Sequence, residues 1–249
     1  MTFADILLRV IPSAPRELER LGVAVDLARR VHGKLNGVFV AQDGDANVDW
    51  AHSLFERAVM RSPLETSWRV VDGRDDDRLA HLARRSDLII LPGAGALPGA
   101  ATRDPHIVAL ESGRPLLILP SPASESSTGN TVVVGWNESG EAARALHDAL
   151  PILIEAESVL VLTVLEPGEP EPLADVRLRE HLRQHGVSAE LERRYGEDAA
   201  EEIADAARRI DADMVVIGLR KRDERAPRDL GDVGRRFVRT GSLPVFCSS

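Results

Sequence analysis

The sequence contains one cysteine, Cys247, and few aromatic residues, which make up 4% of the chain. A single cysteine excludes an intrachain disulfide and a cysteine-based zinc site. No apolar run approaches the ~20 residues that a transmembrane helix requires. Residues 1–10 also lack the basic start and long apolar stretch of a secretory signal. We therefore expect a soluble, cytoplasmic protein, in a compartment where a free thiol stays reduced.

Positive charge is also in deficit. Lys and Arg number 31 against 40 Asp and Glu, which gives a formal net charge of −9. An acidic balance disfavours nonspecific binding to nucleic acid or to an anionic membrane surface, so we predict neither partner. It leaves room for a local phosphate site, because a few backbone amides can hold an anion.

What the sequence does contain is an internal repeat. Two sets of five short runs are rich in Val, Ile and Leu, and amphipathic segments separate them. Runs that are apolar throughout are typical of parallel strands covered on both faces. The runs of the first set are 6–10, 35–40, 68–71, 88–91 and 116–119, and those of the second are 131–134, 159–165, 189–193, 214–217 and 245–247.

The two halves also match block by block. VVDGRDDDRLAHLARRSDLIILPG in the first half parallels RRYGEDAAEEIADAARRIDADMVVIG in the second. Each block has a strand, a Gly turn, an acidic helix start, an Ala-Arg-Arg end and an Asp that opens an apolar strand. The match equates Asp87 with Asp213 and Ile6 with Val132, and Pro115 with Pro244 after a shift of a few residues.

This pattern predicts the domain organisation. Alternating strands and helices form right-handed βαβ crossovers. We expect two doubly wound units in tandem, each with a five-stranded parallel sheet, at residues 1–120 and 131–249. Residues 121–130, SPASESSTGN, have linker composition. Ligands of such sheets bind outside the carboxyl ends of the strands, where the winding direction switches.

The second half resembles a known family. VVVGWNESGEAARALHDALP resembles the first strand and helix of universal stress proteins. GEDAAEEIADAARRIDADMVVIGLRKR resembles their third strand, third helix and fourth strand, and RTGSLPVFC resembles their last strand. The resemblance covers 131 to about 248 and, less closely, about 6 to 120. It extends to the proteobacterial tandem branch, in which a divergent first repeat precedes a second repeat of this kind.

The resemblance carries several expectations. It implies a cytoplasmic stress-response protein with an adenine nucleotide alpha hydrolase-like fold. It also implies that two units pair through their last strands, so the repeats should form an intramolecular pseudo-dimer related by a near two-fold axis. Some members of the family bind ATP or AMP and others do not. ATP or AMP is therefore a possible ligand, and no cofactor is certain.

The phosphate loop of the nucleotide-binding members departs here from its pattern. That pattern is Gly, two residues, Gly, nine residues, then Gly followed by Ser or Thr. Here it opens at Gly218 and includes Arg220, but Lys221 replaces the second glycine. Gly231 occupies the third glycine, and Asp232 replaces the Ser or Thr. Lys221 could itself pair with a phosphate, whereas Asp232 at a helix start would compete for the same amides and repel it. Our interpretation is that Asp232 is a helix starter.

Three further residues complete the candidate nucleotide-contacting set. Asn137 matches the family's Asp at the end of the first strand, which contacts the adenine or ribose side. An amide can hydrogen-bond a base, but Asn before a helix is equally a turn or cap residue. Leu165, at the end of the second predicted strand of this half, and Val233, after Asp232, are the other two.

The first half lacks this set. Ile11 stands in the position of Asn137, and the glycines of 92–105 are followed by no phosphate motif. We predict that 92–105 is a flexible surface loop and that the first half is a structural repeat that binds no nucleotide.

Other polar residues suggest other chemistries. His181 and His185 have the i, i+4 spacing of two metal ligands on a helix, but no HExxH frame surrounds them and a site needs a third ligand. Exposed helix positions are the favoured interpretation. The basic residues of 220–228 alternate with acids, as on a solvated loop. No G-x-S-x-G elbow is present. We predict no metal ligand and no catalytic residue.

Three functions remain open at this stage. The first is a non-catalytic stress-response protein with a regulatory or protein-interaction role and at most weak adenine-nucleotide binding in the second repeat. The second is a true ATP or AMP binder, with slow hydrolysis. The third is an enzyme of a related nucleotide fold, such as an adenylating ligase, which we rank last because the sequence supplies no reacting groups for it.

Overall fold

The computed structural model of the protein describes residues 2–12, 16–41, 46–72, 76–93, 105–120, 128–166, 175–223, 226–240 and 242–249. The loop predicted at 92–105 lies mostly outside these residues. The first half of the chain contains β1 Asp5–Arg9, α1 Glu17–Arg30, β2 Lys34–Ala41, α2 Val48–Val59, β3 Thr66–Asp72, α3 Asp76–Ala83, β4 Leu88–Pro92, α4 Pro105–Ser112 and β5 Leu116–Leu119.

The second half repeats this order and adds a short hairpin before its last helix. Its elements are β6 Thr131–Trp136, α5 Gly140–Leu153, β7 Ser158–Leu165, α6 Asp175–Gln184, β8 Ala189–Tyr195, α7 Ala199–Arg209, β9 Met214–Gly218, β10 Lys221–Asp223, β11 Ala226–Leu230, α8 Asp232–Thr240 and β12 Val245–Ser248.

The sheet confirms the predicted fold class, mixed α/β with two doubly wound units. Ten strands lie in the order β3-β2-β1-β4-β5-β12-β9-β6-β7-β8. Within each half the neighbouring strands are parallel. From the middle of the sheet outward, the first half has the order β5-β4-β1-β2-β3 and the second half has the order β12-β9-β6-β7-β8. Corresponding strands occupy corresponding places, so the two halves have the same topology.

Helices cover both faces of the sheet because both faces of its central strands are apolar. Along β1, Ile6 and Leu8 pack into one core cluster, and Leu7 packs into the other. In the same way, buried residues of α1, α2, α5 and α6 belong to the first cluster, and those of α3, α4, α7 and α8 belong to the second. This two-sided burial explains the continuous apolar runs in the sequence.

The strand register confirms the predicted correspondence of the two halves. Ile6 lies opposite Leu88 in the sheet, as Val132 lies opposite Met214. The residue before each pair makes an equivalent bond: the Asp5 amide donates to Asp87 at 3.0 Å, and the Thr131 amide donates to Asp213 at 3.1 Å.

The carboxylate of Asp213 also organises the end of the expected linker. It accepts hydrogen bonds from the amides of Gly129 at 2.9 Å and Asn130 at 3.0 Å. From the first half, the Arg30 guanidinium binds the Thr128 carbonyl and the Asn130 side chain. Residues 128–130 are therefore held by side chains from both halves of the chain.

Helix α5 begins at a side-chain cap and buries one apolar stripe. The Ser139 hydroxyl accepts from the Ala142 amide at 3.1 Å, which caps the helix. The buried stripe follows the spacing of one helix face: Ala142, Leu146, Leu150 and Leu153.

The two halves join through their last strands. β5 and β12 are antiparallel, with Val245 opposite Ile118, Phe246 opposite Leu117 and Cys247 opposite Leu116. The Phe246 ring is fully buried and stacks on Phe3 of the first half at a centroid distance of 6.2 Å. This pairing turns two five-stranded sheets into one and confirms the predicted contact between the last strands.

Membrane insertion finds no support among the helices that the structure describes. None of them combines the length and the apolar character that a bilayer crossing demands.

The seam between β5 and β12 predicts the behaviour of the separated halves. Residues 1–127 and 128–249, expressed singly, should each self-associate, because each exposes an unpaired apolar edge strand. Expressed together, they should form a 1:1 complex. Size-exclusion chromatography with light scattering measures both outcomes, with the intact chain as the reference. Two monodisperse monomers that do not bind each other would contradict this account of the pairing between β5 and β12.

Candidate functional site

A cleft of about 680 Å³ opens at the carboxyl ends of the second half's strands. It lies where the winding direction switches, between β6 and β9, which are neighbours in the sheet but not in sequence. Trp136 and Asn137 line it from the end of β6, Leu162 and Val164 from β7, and Gly218 from the end of β9. The position and the volume are those of a small-molecule site.

The starts of three helices close the cleft. Glu141 comes from α5, Ala199 and Ala200 from α7, and Asp232 and Val233 from α8. Unpaired amides at helix starts attract anions. The backbone therefore offers the cleft positive partial charge.

The charged side chains around the cleft have mainly the opposite sign. Arg220 is the cationic residue among the described lining residues. Five acidic residues line the same space: Glu141, Glu166, Glu197, Asp198 and Asp232. Taken together, this lining is strongly anionic and disfavours an unaccompanied phosphate group.

Part of this acidic charge is already used inside the protein. The Asp198 carboxylate caps α7 by accepting from the Ala200 amide at 2.9 Å and the Glu201 amide at 3.1 Å. Arg236 on α8 forms an ion pair with Asp198 and another with Glu201. These contacts tie α8 to the start of α7 and fix one wall of the cleft.

Gly218 is required for packing, because β9 ends against the start of α5. A Cβ atom at Gly218 would lie 2.6 Å from the Ala142 nitrogen and 2.6 Å from the Glu141 carbonyl carbon. At Gly231 the nearest atom to a Cβ would be the Arg220 oxygen, at an ordinary 3.8 Å. The two glycines of the degenerate loop therefore have different structural roles.

Asn137 acts as a turn residue. Its side-chain oxygen accepts from the Ser139 amide at 3.2 Å and from the Ser139 hydroxyl at 2.7 Å. The residue between them, Glu138, has a left-handed backbone with φ of 57°. Asn137 thus supports the cap of α5 while also lining the cleft.

The structure brings six of the eight predicted contact residues to the cleft: Asn137, Gly218, Arg220, Gly231, Asp232 and Val233. Leu165 is buried and does not line it, whereas Leu162, Val164 and Glu166 of the same segment do. Lys221 begins β10, and its side chain is not among the described parts of the structure. The segment that we interpreted as a solvated loop forms the hairpin of β10 and β11.

The acidic residues that line the cleft were not predicted from the sequence. Glu166 follows β7 directly, and Glu197 and Asp198 follow β8 after Gly196. Position supplied a usable signal, since residues just after parallel strands gather at one edge of the sheet. Their common charge was visible in the sequence, but their convergence on one cleft was not.

In the first half, a buried ion pair lies beside the corresponding end of β1. Glu17 and Arg20 are 4% and 2% exposed, and their side chains meet at 2.6 Å. Glu17 also accepts from the Ile11 amide at 2.7 Å, and Arg20 donates to the Arg9 carbonyl at 2.6 Å. These bonds attach the start of α1 to the end of β1.

Two other candidate groups are accounted for. Cys247 is fully buried in β12, and burial raises the pKa of its thiol far above the ordinary value, which makes it unreactive. Trp136 both lines the cleft and packs on the core.

The fold and the cleft define a doubly wound α/β protein with a cleft at the topological switch point of its second half. Residues 129–248 match the profile of the universal stress protein family. The second half of this chain therefore belongs to that family. A comparison with curated protein sequences found no match.

Solved structures extend the likeness to the whole chain. A universal stress protein from Archaeoglobus fulgidus DSM 4304 is 18% identical, with coverage of 98% of both chains and a TM-score of 0.72. A functionally unknown protein from Pseudomonas aeruginosa PAO1 is 17% identical, with coverage of 97% of this chain and 90% of that one and a TM-score of 0.71. At these identities the comparison shows a shared tandem fold.

The two glycines can be separated by experiment. Gly218→Ala should destabilise the protein by about 1–3 kcal/mol, because backbone atoms of α5 would have to move. Gly231→Ala should stay within about 0.5 kcal/mol of the wild type. Urea unfolding of the two variants measures the difference. Equal effects would show that the β9–α5 contact is looser than described.

The buried pair of the first half has a matched control on the same helix. Arg20→Met should destabilise the protein by about 3–5 kcal/mol, since it leaves the Glu17 carboxylate buried without its partner. Arg29→Met breaks an equally spaced pair with Asp26, but both side chains are 60% exposed, so the change should be under about 1 kcal/mol. Urea unfolding of both variants checks the contrast, and a small effect of Arg20→Met would contradict the burial of this ion pair.

Proposed function

We propose that this is a non-catalytic stress-response protein of the cytoplasm with a regulatory or protein-interaction role, whose cleft binds adenine nucleotides weakly at most. In this proposal residues 1–120 form a structural repeat, 121–130 join the repeats, and 131–249 carry the cleft. Membership of the second half in the universal stress protein family supports the stress-response role. The observation that carries the weak binding is the acidic lining of the cleft.

Electrostatics supports weak binding. A triphosphate would enter a space lined by five acidic residues and one arginine. Asp232, the first residue of α8, places a carboxylate at the helix end that would otherwise favour a phosphate. Like charges in a cleft raise the free energy of the complex and discriminate against such a ligand.

Two polar side chains of the cleft already cap helices, and this supports a non-catalytic role. The Ser139 hydroxyl caps α5 and donates to Asn137, so its proton and one of its lone pairs are engaged. Asp198 is engaged as the cap of α7. These groups hold helices in place, and neither is arranged as a nucleophile beside a base.

The alternative proposal is a nucleotide-binding protein with slow ATP hydrolysis. The volume and the position of the cleft favour it, because about 680 Å³ at a topological switch point is the size and place of a small-molecule site. In this alternative, adenine or ribose occupies the part of the cleft lined by Trp136 and Val164. This alternative requires a cation or water to offset the negative charge of the acidic residues that line the cleft.

Removal of the Asp232 charge distinguishes these proposals. The wild-type protein should bind ATP with a dissociation constant above about 1 mM, which corresponds to about −4 kcal/mol. Asp232→Ser should improve binding by about one to two decades, or ~1–3 kcal/mol, because it removes a like charge near the phosphates. Titration calorimetry with ATP and AMP measures the gain.

Two controls isolate the cause. Asp49→Ser makes the same change in the first turn of α2, at an exposed position in the other half, and should leave ATP binding unchanged. Adenosine, which carries no phosphate, should show no gain with Asp232→Ser. Tight ATP binding by the wild type that Asp232→Ser leaves unchanged or weakens would favour the nucleotide-binding alternative.

A further inference from the structure

Three histidines meet on the surface of the second half, outside the cleft. His147 lies in α5, His181 lies in α6, and His185 follows the last residue of α6. One ring nitrogen from each lies within 4.8 Å of the corresponding nitrogens of the other two. The sequence showed the pair on α6 but not the third member, which is 34 residues earlier in the chain.

Core packing brings the two helices together. Leu146 and Leu150 of α5 and Leu178 and Leu182 of α6 belong to the same buried cluster. His147 directly follows Leu146, and His181 directly precedes Leu182. The apolar neighbours of the histidines thus anchor both helices in the same core cluster.

The end of α6 places the other two rings side by side. The His185 amide donates to the His181 carbonyl at 3.2 Å, so the i, i+4 relation of a helix persists to His185. Gly186 then turns the chain with a φ of 81°, and the Val187 amide donates to the Leu182 carbonyl at 2.9 Å. This is the usual glycine stop of a helix, and it holds His185 in a defined place.

The three imidazoles already form a compact group. The His181 and His185 ring centroids are 4.7 Å apart with an interplanar angle of 68°, and those of His147 and His185 are 5.9 Å apart at 86°. A tetrahedral zinc ion with Zn–N bonds of about 2.0–2.1 Å holds its nitrogen ligands about 3.3 Å apart. The nitrogens therefore need to approach by about 1.5 Å at most, which side-chain rotation can supply because His181 and His185 are exposed and His147 is half-buried.

We propose that His147, His181 and His185 form a zinc-binding site with three histidine ligands and an open fourth position. Three neutral imidazoles and no thiolate are a ligand set that zinc and neighbouring divalent transition metals accept. The nearby Glu180 carboxylate is engaged by Arg183 and Gln184, at 3.0 Å and 3.1 Å. Water therefore completes the coordination. The bound ion links α5 to α6 and stabilises the folded second half.

Calorimetry with zinc chloride on the full-length protein tests the site. The wild type should bind one equivalent of zinc, and His147→Gln should weaken the affinity by at least about 10-fold, because it removes one of three ligands. His81→Gln removes an exposed histidine from α3 in the other half and should change nothing. Full affinity in His147→Gln would overturn the proposal, since binding would then need only the pair on α6.

Two further readouts separate ligation from folding. The wild-type protein titrated with cobalt(II) should develop the visible absorption of a tetrahedral complex, which His147→Gln should lack. Zinc should raise the melting temperature of the wild type, because it binds the folded state, and should have little effect on His147→Gln. A stoichiometry well above one, or an octahedral cobalt spectrum, would show adventitious surface binding and reject the site.

Discussion

The antiparallel pairing of β5 with β12 is the contact on which the rest of the structure depends. Each half ends its sheet with a short strand that is apolar on both faces, and a free edge of this kind is prone to aggregation. Because the two strands are equivalents, each is a fitting partner for the other. The pairing covers both edges and buries Phe246 against Phe3.

The same pairing separates the strand ends of the two halves. Strands are parallel within each half and antiparallel across the seam, so their carboxyl ends point to opposite edges of the ten-stranded sheet. The residues that line the described cleft accordingly all come from the second half. At the other edge, the buried pair of Glu17 and Arg20 lies beside the end of β1. The same topology thus carries different residues at its strand ends in the two halves, which illustrates why fold alone does not assign function.

Gly218 and Asn137 match the family's nucleotide-binding pattern, but each also has a structural role that needs no ligand. Gly218 matches the nucleotide pattern, yet its lack of a side chain is required by the start of α5. Asn137 matches a base-contacting position, yet its oxygen supports the helix cap. A protein that has lost nucleotide binding would retain both residues for folding. Their presence therefore says less about a ligand than the charge of Asp232 does.

The repeat and the two doubly wound parallel units followed from the sequence alone. Both rest on local patterns: apolar runs buried on both faces, and Asp87 and Asp213 at matching places. The resemblance to a family pattern also indicated six of the residues that line the cleft. Their convergence with acidic residues depends on the tertiary structure, since Glu166 and Glu197 follow different strands and Glu141 lies at the start of α5. The meeting of His147 with His181 and His185 has the same origin. A sequence records spacing along one chain, whereas a site depends on distances between chain segments that only the packed core sets.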